Sequence, residues 1–79
     1  MPEPLRFSAH ARRRMASRGI TETEVVEAVE RPETTYRAKD DPSRLVILRR
    51  TVAGRRLKVV VPAVDRCVVI TVADRDGER

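Results

Sequence analysis

The sequence predicts an α+β fold in which two N-terminal helices pack on a four-stranded antiparallel sheet. Up to Pro32, apolar residues recur at helical spacing between residues that start and stop helices. Beyond it, short runs rich in Val, Ile, Leu and Thr alternate with turn residues, as in a sheet. The 79 residues contain no internal repeat and no linker, so we expect a single domain over 1–79.

The first helix is predicted from its two ends. Ser8 is a favourable N-cap residue, and Gly19 permits the left-handed backbone that often ends a helix, so we expect a helix at 9–18. Residues one turn apart share a face of a helix, which places Ala11 and Met15 in an apolar stripe. This stripe must face the sheet.

The second helix is predicted by a capping box. Thr21 is followed three residues later by Glu24, valines then recur at helical spacing, and Pro32 closes the segment. We therefore expect a helix at 22–30.

Four strands are predicted after the helices because the apolar period changes from helical to alternating. Turn residues separate them, namely KDDPS at 39–43, AG at 53–54 and VD after Pro62. Since Pro62 lacks an amide donor, the third strand must end there or lie at an edge. The expected strands are 34–38, 44–52, 55–61 and 66–73, and the element order is ααββββ.

Both faces of the predicted sheet are apolar. Side chains alternate along a strand, so the segment LVIL at 45–48 supplies apolar residues to both faces, as do the valines at 59–61. Two short helices cover one face only. Either the sheet curves over its own core, or an apolar patch remains for a partner. We expect a partner there, such as a second copy in a homodimer or a helix of an acidic protein.

Composition limits the classes of function. Seventeen Lys and Arg residues, mostly arginine, against twelve Asp and Glu give a formal net charge of +5. Guanidinium groups bind phosphate and carboxylate through paired hydrogen bonds, so a polyanionic or acidic partner is favoured. The base composition of the source genome would also explain the excess of arginine over lysine, but not the charge. The only aromatic residues are Phe7 and Tyr36, so stacking is not expected to be the main mode of nucleic-acid binding.

The sequence argues against a metal, a cofactor and a membrane span. One histidine and one cysteine without paired carboxylates do not form a metal site. Cys67 lies in an apolar run and is expected to be a small buried hydrophobic residue. No apolar run approaches the roughly 18 residues of a span, and the N-terminus has no apolar signal core, so a cytoplasmic protein is expected.

The single histidine heads a row of arginines on the first predicted helix. His10, Arg14 and Arg18 are spaced by one turn and form a ridge beside the apolar stripe, where a cleft between helix and sheet would open. Like charges at this spacing repel, so the two arginines favour a phosphate or carboxylate nearby. Glu22 or Glu24 of the second helix could supply that carboxylate in an ordinary ion pair.

The chemistry of this ridge depends on His10. In the first helical turn, the helix dipole and the neighbouring guanidinium groups disfavour a charged imidazole. A neutral imidazole could accept the proton of a ribose 2′-hydroxyl while the arginines stabilise the charge on the phosphate. The residues alone slightly favour a structural hydrogen bond for this histidine, so the catalytic interpretation needs other support.

The first third of the chain resembles the small bacterial proteins grouped as domain of unknown function 4258. The resemblance follows the pattern F-S-x-H-A-x-x-R-M-x-x-R-G-I-x-x-x-x-V from Phe7 to Val25, continued by AVERPE at 28–33. The segment VVITV at 68–72 resembles the last strand of the family, where a threonine usually precedes an aromatic residue. Here Thr71 is followed by a valine instead.

In element order, the family resembles the RelE and ParE toxin superfamily. The resemblance implies a RelE-like fold and a metal-independent ribonuclease of a toxin-antitoxin pair, with no cofactor. His10 would then be the general base or acid, Arg14 and Arg18 would hold the scissile phosphate, and Thr71 would assist by hydrogen bonding. The implied partners are RNA and an acidic antitoxin-like protein.

Two alternatives to a ribonuclease remain at this point. One is a non-enzymatic module that binds RNA or an acidic protein through the same ridge, and the other is a dimeric structural subunit joined through its sheet face. Arg49 and Lys58 match no motif and are expected to be solvated cations at strand edges, although they could bind phosphate if their strands place them beside the ridge.

Overall fold

Residues 5–74, which the computed structural model describes, form the predicted α+β fold. Within this range there are two helices and six strands. In chain order they are β1 (Arg6–Phe7), α1 (Ala9–Arg18), α2 (Glu22–Glu30), β2 (Thr34–Arg37), β3 (Arg44–Arg50), β4 (Arg56–Pro62), β5 (Val68–Val69) and β6 (Thr71–Asp74). Both helices have the predicted bounds.

The signals that predict α1 form the expected contacts. The Oγ of Ser8 accepts a hydrogen bond from the amide of Ala11 at 3.0 Å. Gly19 has a left-handed backbone with φ of 67°, and the amide of Ile20 donates to the carbonyl of Met15 at 2.9 Å. This closing bond and the burial of Ile20 end the helix against the core.

The capping box of α2 is also confirmed. The Oγ1 of Thr21 accepts from the amide of Glu24 at 3.1 Å, and the Glu24 carboxylate accepts from the amide of Thr21 at 3.0 Å. Two amides that lack a partner inside the helix are thereby satisfied. Val25 and Ala28 bury the inner face of the helix.

Four of the strands form one antiparallel sheet in the order β2-β3-β4-β6. The register pairs Val46 of β3 with Tyr36 of β2 and with Val60 of β4, and Val60 pairs in turn with Thr71 of β6. The third predicted strand ends at Pro62, as its missing amide donor requires.

The prediction of a single last strand is wrong. The segment 66–73 contains β5 and β6, which belong to different sheets and are separated at Ile70. β5 pairs in parallel with β1. β1 was not predicted, because a strand of two residues is too short to show an alternating pattern. Cys67 lies in the turn before β5, where its amide donates to the Asp65 carboxylate at 3.0 Å, so it is half-buried and not buried as expected.

The hairpin between β3 and β4 is wider than predicted. β3 ends at Arg50, and a loop follows in which the amide of Thr51 donates to the carbonyl of Arg55 at 2.7 Å. The Oγ1 of Thr51 accepts from the amide of Arg55 at 3.1 Å, and Gly54 has a φ of 88°. The hydroxyl of the buried Thr51 thus holds the loop closed. A two-residue turn would not need such a contact.

The main core lies between the helices and one face of the sheet. α1 packs along β6, and α2 packs across β3 and β4. The buried side chains of this core are Ala11, Met15, Ile20, Val25, Ala28, Leu45, Ile47, Leu57, Val59, Val61, Val69 and Val72. Neither of the two described helices is long and apolar enough to cross a membrane.

The other face of the sheet, here called the open face, carries no helix. Its central valines, Val46 and Val60, are nevertheless only 4% and 8% exposed. The large apolar residues that are exposed within residues 5–74 are Tyr36, Val52 and Val64, and the two valines lie in turns. The apolar patch expected as a homodimer surface is therefore not present on the described part of the chain.

Candidate functional site

A pocket of about 260 Å³ lies on the open face of the sheet. We call it the sheet pocket. Side chains from three strands, the segment after β2 and helix α1 surround it. They are Arg14, Ala38, Asp40, Arg44, Val46, Lys58, Val60, Thr71 and Ala73.

The strand register explains why these side chains meet. Val46, Val60 and Thr71 are paired across three neighbouring strands and form the floor of the pocket. Alternate residues of a strand share a face, so Arg44, two residues before Val46, lies on the same face. Lys58, two residues before Val60, lies there as well. The two cations thus flank a floor of small side chains from opposite ends.

Arg14 enters the pocket from the helix. Since α1 packs along the border strand β6, the half-buried Arg14 can reach over the edge of the sheet. Its Nε lies 3.5 Å from the carbonyl oxygen of Val72, within the limit of a long hydrogen bond. The expectation that the ridge borders the core is confirmed at this position, where Ala11 and Met15 of the apolar stripe are buried beside it.

His10 and Arg18 are exposed and do not line the sheet pocket. The Oγ of Ser8 donates to the carbonyl of Ile70 at 2.6 Å, so the N-terminal end of α1, where His10 lies, is anchored beside the residue that precedes Thr71. Arg18 lies at the opposite end of the helix. The structure therefore brings together Arg14 and Thr71 of the four predicted site residues and leaves the other two outside the lining.

The ion pair considered for the ridge arginines is not formed by either candidate carboxylate. Glu22 lies 3.7 Å from Arg12, an arginine outside the ridge, and Glu24 is engaged in the capping box. Within residues 5–74, Arg18 makes no salt bridge with either of them. Its charge faces solvent.

Three cations and one carboxylate face the sheet pocket, which makes it electropositive. Arg44 is partly neutralised because its Nε lies 3.2 Å from a carboxylate oxygen of Asp41, at the rim. The other oxygen of Asp41 accepts from the hydroxyl and the amide of Ser43 at 2.6 and 3.1 Å. These hydrogen bonds, and then the charge of Arg44, lower the pKa of the Asp41 carboxyl below its ordinary value of 3.8.

The expectation that Lys58 and Arg49 are solvated cations at strand edges is wrong. Lys58 belongs to the central strand β4 and is half-buried in the pocket, so it is not a solvated cation at a strand edge. Arg49 points to the helix side, where its side chain contacts Glu27 at 3.2 Å and the carbonyl of Arg31 at 2.7 Å. The alternation of side chains along each strand could have indicated that Lys58 and Arg49 lie on opposite faces of the sheet. Without the strand register, however, it could not show which residues each of them meets there.

Two helices on a four-stranded antiparallel sheet, with a basic pocket on the open face, define a small α+β protein. The chain belongs to the family described as domain of unknown function (DUF4258), whose sequence profile matches residues 7–74. That match includes both helices and all four strands of the larger sheet. No curated protein and no solved structure matches the chain.

Proposed function

We propose that this protein acts on RNA and holds a backbone phosphate in the sheet pocket. The observation that carries the proposal is the convergence of Arg14, Arg44 and Lys58, from three separate elements, on a pocket that also contains the hydroxyl of Thr71. Phosphate oxygens accept hydrogen bonds from all of these groups. Asp40 lines the pocket and Asp41 pairs with Arg44, so two carboxylates oppose three cations and an anion is favoured over a neutral ligand.

The shape of the pocket fits a segment of a chain better than a whole small molecule. Its volume of about 260 Å³ is slightly below the usual range for drug-sized ligands. It is accessible from the open face, along which a polymer can continue in both directions. The net charge of +5 adds a long-range attraction for a polyanion.

Cleavage of the bound RNA is the second part of the proposal, as a toxin-like ribonuclease that needs no metal. His10 lies one helical turn from Arg14 and is exposed, so a ribose next to the bound phosphate can approach it from solvent. The imidazole accepts the 2′-hydroxyl proton, the 2′-oxygen attacks phosphorus, and the bond from phosphorus to the 5′-oxygen breaks as that oxygen takes a proton from solvent water, which yields a 2′,3′-cyclic phosphate. Arg14 and Thr71 stabilise the charge on the phosphate oxygens, and Arg18 contacts RNA farther along α1.

An acidic antitoxin-like protein is the partner that this class of function implies. Carboxylates placed at Arg14, Arg44 and Lys58 would block the sheet pocket by charge as well as by shape. Non-enzymatic binding of RNA at the same groups is the alternative function, and it differs only in the absence of cleavage.

RNA binding is tested with a fluorescein-labelled single-stranded RNA, by fluorescence anisotropy. Lys58→Gln removes a cation from the pocket, and Arg13→Gln removes the same charge from an exposed position of α1 outside it. We expect the first variant to weaken binding about tenfold and the second to change it by a factor of about three or less. Equal effects would mean that the pocket is not the phosphate site.

A further inference from the structure

The basic character of the open face continues beyond the sheet pocket. A second pocket of about 100 Å³, here called the end pocket, lies toward the hairpin end of β3 and β4. Its lining residues are Glu33, Thr34, Leu48, Arg49, Arg50 and Arg56. Arg50 and Arg56 are paired across β3 and β4, so two cations occur together at this end of the face.

The two pockets are neighbours on one surface. Leu48 of the end pocket is paired directly with Lys58 of the sheet pocket. The floor residue Val46 and the end-pocket residue Arg50 are four positions apart on β3, or about 13 Å of strand. A nucleic-acid segment of a few nucleotides can therefore place a phosphate in each pocket at once.

An exposed aromatic ring lies beside the path between the pockets. Tyr36 is 44% exposed and stands on β2 between Thr34, which lines the end pocket, and Ala38, which lines the sheet pocket. Its pairing with Val46 places its side chain on the open face. The other aromatic residue, Phe7, packs against the core with the Arg12 guanidinium 5.0 Å from its ring, so it is not available for a ligand.

The end pocket contains one carboxylate, Glu33, and three arginines. The Glu33 side chain accepts a hydrogen bond from the backbone amide of Arg50 at 2.9 Å, which holds it at the strand edge. Arg49 is engaged by Glu27 on the helix side. Arg50 is exposed and lines the end pocket, where a phosphate can reach it.

From this arrangement we propose that the substrate is single-stranded RNA lying along the open face, with one phosphate in each pocket and one base stacked on Tyr36. This inference rests on the proposed binding of RNA in the sheet pocket. Bases in a duplex are already stacked and paired, so only a single strand can offer a base to an isolated aromatic side chain. Stacking on one tyrosine also agrees with the small number of aromatic residues, because the phosphates supply most of the affinity.

The test compares Tyr36 variants on intact and abasic RNA, by fluorescence anisotropy. The probes are a labelled single-stranded RNA, a set of the same RNAs each with one abasic position, and a duplex of equal length. The proteins are wild type, Tyr36→Ala, Tyr36→Phe and the control Thr35→Ala, whose residue is exposed on the opposite face of β2. Circular dichroism melting of each variant verifies the fold.

We expect Tyr36→Ala to weaken binding of the intact single strand about tenfold, while Tyr36→Phe, which keeps the ring, and Thr35→Ala remain within about twofold. One abasic position should weaken binding to wild type by a similar factor and should remove the effect of Tyr36→Ala. Arg50→Gln should lower the salt dependence by about 0.7 in the slope of log K against log salt, as expected for one phosphate contact fewer.

The inference is overturned if Tyr36→Ala binds the intact strand as well as wild type does, or if the duplex binds as tightly as the single strand. If Lys58→Gln still weakens binding in that case, the phosphate site in the sheet pocket stands and only the stacking position is wrong. If wild type binds no RNA but binds polyglutamate, both proposals fail, and the open face is a surface for an acidic protein.

Discussion

The guanidinium of Arg14 lies across the edge of the sheet, with its Nε 3.5 Å from the carbonyl oxygen of Val72. Val72 belongs to β6, the strand at one border of the sheet, so this contact allows a helix residue to line a pocket on the face turned away from the helices. His10 and Arg18 lie one turn to either side of it and do not line that pocket. The ridge and the pocket are joined through this one arginine.

The first prediction follows from this difference between two arginines of one ridge. Arg14→Gln should weaken binding of single-stranded RNA about tenfold, because it removes a half-buried cation from the sheet pocket. Arg18→Gln should weaken it by a factor of about three or less, because that charge is exposed and outside the lining. Anisotropy titrations at two salt concentrations measure both effects. Equal losses from the two substitutions would mean that the whole ridge, and not the pocket, holds the phosphate.

The second prediction separates catalysis from binding. If His10 is the general base, His10→Ala should reduce RNA cleavage about 100-fold or more and leave the affinity within a few-fold, since the side chain is outside the pocket lining. Thr71→Val keeps the shape of the side chain and removes the hydroxyl, so it should slow cleavage about tenfold. Gel analysis of an end-labelled RNA gives the rates.

The control for this prediction is the double variant His10→Ala with Arg14→Gln, which tests for a contaminating nuclease. Residual cleavage that is the same in the double variant as in His10→Ala would come from the contaminant. If the pure wild-type protein leaves RNA intact at every pH between about 5 and 9, the protein is a binding module and not a ribonuclease.

The third prediction concerns the two helix caps. Ser8 accepts from the amide of Ala11 and also donates to the carbonyl of Ile70, whereas Thr21 acts within its own capping box. Ser8→Ala should therefore cost about 2 kcal/mol, from the lost cap and from the Ile70 hydrogen bond together, and Thr21→Ala about 1 kcal/mol. Urea unfolding followed by circular dichroism measures both values, with the exposed Ser17→Ala as a neutral control. Equal costs would show that the contact to Ile70 adds no stability.

The caps also show which part of the fold is predictable from sequence. Ser8, Gly19 and the pair Thr21 and Glu24 act on backbone within a few residues, so both helices could be placed to the residue. β1 could not, because it is only two residues long and its partner, β5, lies about 60 residues away. Local signals determine the helices, and long-range pairing determines the small sheet of β1 and β5.

The candidate site was predictable only in part for the same reason. Helical periodicity alone places Arg14 at the border of the core, and the structure confirms this. Lys58 and Arg44 join it only because β3 lies between β2 and β4, and β4 lies next to β6, which is a property of strand order. Periodicity likewise could not show that Arg14 lines the pocket while His10 and Arg18 do not. That difference depends on how far α1 extends beyond the pocket at each end.

The last prediction uses the lowered pKa of Asp41. Its carboxylate accepts from the hydroxyl and amide of Ser43 and lies 3.2 Å from Arg44, and these contacts favour the ionised form in the folded protein. A folded-state pKa below the ordinary 3.8 means that the carboxylate stabilises the fold above that pH. This contribution is lost as the pH falls through the folded-state pKa. Asp41→Asn keeps an oxygen for Ser43 and removes the charge beside Arg44.

The difference in urea midpoint between wild type and Asp41→Asn should therefore be largest above about pH 4 and should disappear at lower pH. Added salt should reduce the difference at neutral pH, because it screens the exposed pair with Arg44. A difference that does not change with pH would mean that the charge of Asp41 does not stabilise the turn.

Arg44 also lines the sheet pocket, so its release from Asp41 has a second consequence. Asp41→Asn should bind single-stranded RNA more tightly than wild type at neutral pH, since the guanidinium then has no carboxylate at position 41 competing with the phosphate.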